Sequence, residues 1–277
     1  MKNWLIVYVT SMILIMTGTM SAQQYYAPES AVFDPAANHY FISNFGSGDI
    51  LLADSNGVKK YFARDLANSL GMVMVGNTLY LVENRNNVRG FNIADGSPVM
   101  LVTIPEAKFL NDITADPQGF LYVTDSNTKC IFKIYPQIHK YTTFAVTAVA
   151  SPNGVVYDPF HDRLLVCHFK ENAVIEGLSL KDSTFTTLLE STLHNFDGIT
   201  LDSQGNIYVS VWGAGNFTDG YPDKGIICKF EASFSRPPDI ITLDLHGPAD
   251  IFFETINNLL VIPSLLEDKV IWIPVDK

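Results

Sequence analysis

Four short motifs place an oxygen-bearing side chain at their second position: PES from Pro28, LND from Leu110, PNG from Pro152 and FDG from Phe196. The side chains are Glu29, Asn111, Asn153 and Asp197, two carboxylates and two amides. Such oxygens suit a hard divalent cation, Ca²⁺, Mg²⁺ or Mn²⁺, rather than a soft one. Strand capping is the plainer reading, because Asn and Asp bond nearby backbone groups in turns. Capping explains any single position, but it explains Glu29 poorly and gives no reason for four oxygens to recur at one place in a repeat.

The repeat is what would bring them together. PESAVFDPAANHYFIS, LNDITADPQGFLYVTDS, PNGVVYDPFHDRLLVCH, FDGITLDSQGNIYVSVW and PADIFFETINNLLVIPS share one pattern, with a weaker copy, LGMVMVGNTLYLVENR, at Leu70. Each is an apolar strand, a tight turn rich in Asp, Pro, Gly and Asn, and a second apolar strand. The second positions fall at 29, 70, 111, 153, 197 and 249, the spacing of a four-stranded propeller blade of about 40 to 50 residues. Six copies predict an all-β fold, a six-bladed β-propeller of four-stranded blades. The last copy offers three strands, so Gln23–Ala27 is expected to supply the fourth and close the ring, since an open edge would expose unpaired backbone groups.

In a propeller the first strand of each blade lines the central channel. The second-position column, Glu29, Leu70, Asn111, Asn153, Asp197 and Ala249, therefore surrounds one mouth. The next column, Ser30, Gly71, Asp112, Gly154, Gly198 and Asp250, adds two carboxylates there, with glycines that permit close backbone approach. A third column, Asp34, Asp116, Asp158, Asp202 and Glu254, lies in the opposite turn and reads as turn structure.

The bulk properties narrow the function. Residues 1–22 have the form of a secretory signal peptide: Lys2, an apolar run from Trp4 to Met16, and small residues at Thr19, Ser21 and Ala22. The run is too short for a stable membrane anchor. The expectation is a secreted or periplasmic protein with one domain over 23–277. A net charge of −11 argues against nucleic acid, whose phosphates need clustered Lys and Arg. Cys130, Cys167 and Cys228 sit in apolar strand-like runs and read as free thiols, and no CxxC suggests a thiolate metal site.

The motifs PESAVFDP, LNDITADPQGFLYVTD, SPNGVVYDP and FDGITLDSQGNIYVS resemble the metal-site motifs of the gluconolactonase/regucalcin (senescence marker protein) family, six-bladed propellers that are divalent-metal-dependent lactonases. Carried over, the resemblance implies metal ligands Glu29, Asn153 and Asp197, with Asn111 and Asp112 on the substrate side. It implies one divalent cation, Ca²⁺ first and Mn²⁺, Zn²⁺ or Mg²⁺ as alternatives, and a small-molecule lactone or ester substrate. Asp197 would be both ligand and general base for the attacking water. The chain departs from the family pattern at Ser30, Ala31 and Phe33, and has Phe109 where an Arg usually contacts sugar-lactone hydroxyls. A more apolar lactone or ester fits that change.

The loops between second and third strands should shape the pocket. The long fifth one, WGAGNFTDGYPDKG, could bring Trp212 or Tyr221 to substrate or be a passive insertion. His168 and Asp250 are further expected substrate contacts, and His194 and His246 fall near the same mouth. A noncatalytic NHL-like binding propeller is the alternative function, and nothing in the sequence points to a partner protein.

Overall fold

The computed structural model describes residues 24–54, 57, 59–213 and 224–275, the side chains of Asp54, Lys59 and Leu243 excepted. The apolar N-terminal run and Tyr221 lie outside the described residues.

Runs of β-branched and aromatic residues broken by Gly, Asp, Asn and Pro turns become short strands joined as antiparallel meanders. Five sheets of four strands follow one another in strict sequence order, and a sixth has three described strands. Each blade begins with an inner strand: Pro28–Asp34, Ser69–Val75, Leu110–Ala115, Pro152–Asp158, Phe196–Leu201 and Phe252–Glu254. The second strands are His39–Asn44, Thr78–Glu83, Leu121–Asp125, Arg163–His168, Ile207–Val211 and Leu259–Ser264. Every inner strand packs against those of the blades before and after it, so the six form a closed ring.

An apolar cluster fills each blade interface. Val32, Phe41 and Ile50 of blade 1 meet Met72 and Leu79 of blade 2, and Tyr208 and Ile227 of blade 5 meet Ile251 and Leu260 of blade 6. This burial is the main driving force for assembling the ring.

The ring closes differently from the sequence expectation. Gln24–Ala27 form no strand, and the sixth sheet stays three-stranded among the described residues. Their backbone is committed elsewhere: the carbonyls of Tyr26 and Ala27 accept from Gly46 and Phe45 of blade 1, at 3.2 and 2.8 Å. Ala27 N–H donates to Asp268 Oδ1 of blade 6 at 2.7 Å, and Tyr25 packs with Val261 and Val270. The segment is thus a strap between the first and last blades. The inner ring itself is joined where Asp250 N–H donates to the Glu29 carbonyl at 2.9 Å.

The turn column is structural, as its sequence suggested. Asp116 Oδ1 accepts from the N–H of Gln118 and Phe120, both at 3.0 Å, while the buried Tyr122 donates its hydroxyl to Oδ2. Asp202 repeats this with Gln204, Asn206 and Tyr208.

Candidate functional site

A bulge opens every blade. In blade 1, Pro28 pairs with Asn44 and Ala31 with Ile42, so Glu29 and Ser30 together face Ser43 alone. The same offset occurs at 70–71, 111–112, 153–154 and 197–198. In blade 6 it follows from the pairings Pro248–Ser264 and Phe252–Val261. The two polar columns read from the sequence are therefore the two residues of a repeated two-against-one bulge. A bulge breaks the alternation of the strand and re-aims side chains, which is why it recurs beside functional sites.

The first bulge column sits at the mouth. Glu29, Asn111, Asn153 and Asp197 are each buried, 3 to 7% exposed. Glu29 Oε2, Asn111 Oδ1 and Asn153 Oδ1 have no hydrogen-bond donor among the described residues. A buried acceptor left so costs about 1 to 3 kcal/mol, and a charged one more. Blade 2 contributes apolar Leu70, which joins the core cluster between blades 2 and 3.

The field around these oxygens is strongly negative. Burial raises the Glu29 carboxyl well above the usual range, reinforced by Asp250, Asp197 and Asp112. Asp197 is pushed up to about 8 by burial and then by Asp250, against a hydrogen bond from the Trp212 side chain. Burial lifts Asp250 to about 7, opposed by Ser30 and the Ile251 N–H. A divalent cation would relieve both the repulsion and the missing donors. Among the described residues no three His, Cys, Asp or Glu side chains form a metal-holding group, so a cation here needs the amide oxygens of Asn111 or Asn153 beside the carboxylates. Oxygen-only donors of mixed charge fit a hard ion.

The second bulge column forms the layer beneath. Asp112 accepts from Ile113 N–H at 2.6 Å and Val155 N–H at 2.7 Å, tying blade 3 to blade 4. Asp250 Oδ2 accepts from Ser30 Oγ at 2.6 Å. Both acids border a channel cavity of about 260 Å³ whose walls include Val32, Met72, Ile113 and Ile199. Glycine is required between them: a Cβ on Gly198 would stand 2.6 Å from Asp250 Cα, and one on Gly154 would strike the Asp197 carbonyl.

Trp212 is buried at the mouth, its ring edge-on to Phe169 at 5.6 Å, and it acts on Asp197. His168 is placed differently from its expected role. It is fully buried, with Nδ1 3.0 Å from the Ala150 carbonyl and Nε2 3.0 Å from Glu176 Oε2. Both ring nitrogens are turned toward groups of the protein itself. Its position at the end of a second strand is occupied elsewhere by Asn44, Glu83, Asp125 and Ser264, each bonded to the segment that leads into its blade. Of the other histidines, His194 is half-buried and accepts from Asn172 N–H.

Sequence reasoning missed the residues facing the bulges, Ser43, Thr124, Cys167 and Ser210. Their signal was a small polar residue just inside the end of otherwise apolar second strands, in FISN, YVTD, LVCH and YVSV.

A sequence profile for the SMP-30/Gluconolactonase/LRE-like region matches residues 27–241. No curated protein matches the chain significantly. Among solved structures, a gluconolactonase from Xanthomonas campestris is 15% identical, with a TM-score of 0.73 over 90% of this chain and 86% of its own. Virginiamycin B lyase from Staphylococcus aureus is 14% identical, covers 88% and 93%, and gives a TM-score of 0.62. A chain of a nidogen/laminin complex is 14% identical, covers 84% and 89%, and gives 0.63. At such identities the likeness is one of fold, and that fold serves proteins with different tasks.

Proposed function

Because the chain belongs to the SMP-30/gluconolactonase/LRE-like family, we propose that its bulge-lined mouth is the active site of a metal-dependent lactonase or related ester hydrolase. The observation that carries this reading is the buried arc of Glu29, Asn111 and Asn153 oxygens without donors, closed by the Asp197 carboxylate. Glu29, Asn153 and Asp197 would hold the cation, which supplies polarisation of the scissile carbonyl when bound.

The protein's own groups do the rest. Asp197 takes the proton of the attacking water as general base. The Trp212 side chain fixes that carboxylate through its hydrogen bond. Asn111 lies on the substrate side, where its amide can orient the carbonyl. Half-buried Phe109, two residues before Asn111, carries the Arg85 guanidinium 5.0 Å above its ring. This surface favours a flat or apolar lactone over a polyhydroxylated one. Residues 1–22 would direct the chain out of the cytoplasm.

A panel of aliphatic, aromatic and sugar lactones, assayed with Ca²⁺ or Mn²⁺ and with chelator, tests the proposal. Cation-dependent opening of at least one apolar lactone, lost in Asp197→Ala, is the expected result. Absent turnover across the panel would favour a noncatalytic binding propeller, and chelator-insensitive turnover would overturn the metal dependence.

A further inference from the structure

The single residue facing each bulge follows the chemistry of the bulge. Where the first bulge position carries an oxygen, at Glu29, Asn111, Asn153 and Asp197, the facing residue is Ser43, Thr124, Cys167 or Ser210. Where it is apolar, at Leu70 and Ala249, the facing residue is Val82 or Pro263.

The bonds show what these residues do. Thr124 Oγ1 accepts from the N–H of Asp112 at 3.1 Å and donates to the Asn153 carbonyl of the next blade at 2.6 Å. Cys167 accepts from Gly154 N–H and donates to the Asp197 carbonyl at 3.0 Å. Ser210 accepts from Gly198 N–H at 2.7 Å and donates to the Ala249 carbonyl at 2.8 Å. Asp250 N–H then continues directly to the Glu29 carbonyl at 2.9 Å, and Ser43 takes the Ser30 N–H at 2.9 Å. One relay thus joins the bulges of blades 3, 4, 5, 6 and 1.

A bulge takes backbone groups out of the ladder and leaves them in need of partners. A small side chain with both a donor and an acceptor meets the need on two blades at once and sets the spacing between neighbouring bulges. Resting on the cation-site reading above, we infer that Thr124, Cys167 and Ser210 are positioning residues: they hold the oxygen-bearing bulges at the spacing a cation requires. None of them supplies a ligand.

Ca²⁺ titration by calorimetry, with thermal melts of the chelated protein, tests this on the full chain. Partners behind a metal site typically change affinity by about 10- to 100-fold. Thr124→Val and the milder Cys167→Ala should weaken Ca²⁺ binding by that range, whereas Thr124→Ser and Cys167→Ser, which keep donor and acceptor, should bind close to wild type. Thr114→Val is the control, because Thr114 Oγ1 also ties blade 3 to blade 4, accepting from Tyr157 N–H at 3.2 Å, but outside the bulge. It should lower the melting temperature and leave affinity unchanged. If Thr124→Val and Cys167→Ala behave like Thr114→Val, the residues are scaffold and the inference is overturned while the cation site stands. If wild type binds neither Ca²⁺ nor Mn²⁺, the cation reading itself falls and this inference with it.

Discussion

The two ends of the inner strands carry the same residue types at the same repeat, with opposite outcomes. At the turn end, Asp116 and Asp202 each collect two backbone N–H groups and a tyrosine hydroxyl. At the mouth, Glu29, Asn111 and Asn153 each keep a buried oxygen with no donor. The turn folds its own N–H groups back onto a preceding acid, while the bulge turns its side chain away from the ladder into a ring of other acids. Repetition alone therefore does not mark a site; repetition combined with unsatisfied buried oxygens does.

The largest separation between the two ends should come from paired substitutions. Asp197→Asn removes the proposed base and one proposed anionic ligand, so lactone hydrolysis should fall by about 10²- to 10⁴-fold. The chelated protein should melt no lower than wild type, since a buried like charge has gone. Asp116→Asn should leave cation-dependent turnover in place. A matched loss in both variants would erase the distinction.

Thermal melts come next in size. A cation at about 100 times its Kd adds about 2.7 kcal/mol, worth roughly 5 to 10 °C in a chain of this length. That shift should appear in wild type and Asp116→Asn and vanish in Glu29→Gln and Asp197→Asn. A shift that persists in the last two would place the cation elsewhere.

Gly154→Ala should destabilise by about 1 to 3 kcal/mol through overpacking, because the added methyl meets the Asp197 carbonyl and Cys167 Sγ. Gly119→Ala, in the turn of Asp116, would make only ordinary contacts, with Val75 and Gln137 at 3.8 and 3.9 Å, and would suffer from its positive φ of 81°. Cation affinity should drop in the first variant alone, as read by calorimetry.

The last comparison is one of pH. Asp197 and Asp250 have folded values of about 8 and 7, above the ordinary carboxylate range. The folded protein therefore holds protons that the unfolded chain releases, and stability falls as pH rises from about 4 through these values. Melts of the chelated protein should decline steadily between pH 5 and pH 8, and Ca²⁺ should reverse the decline. A flat profile would mean that the mouth acids are not crowded as described.

Much of this was legible in the chain. Hairpin turns at a fixed period gave the propeller, and alignment of the copies separated the mouth column from the turn column. The Gly154 and Gly198 requirement was visible as a need for close approach. The role of His168 was not, because its partners Ala150 and Glu176 lie on other segments. The closing strand was also misread: an unpaired edge suggested a strand, but the carbonyls of Tyr26 and Ala27 were taken by blade 1.

By itself the sequence determined which residues repeat, because strand periodicity and turn chemistry are local properties of neighbouring residues. Only the tertiary structure decided which repeated acids are satisfied and which are not. It also revealed the relay through Thr124, Cys167 and Ser210, since hydrogen bonds between blades join residues some 30 to 40 positions apart.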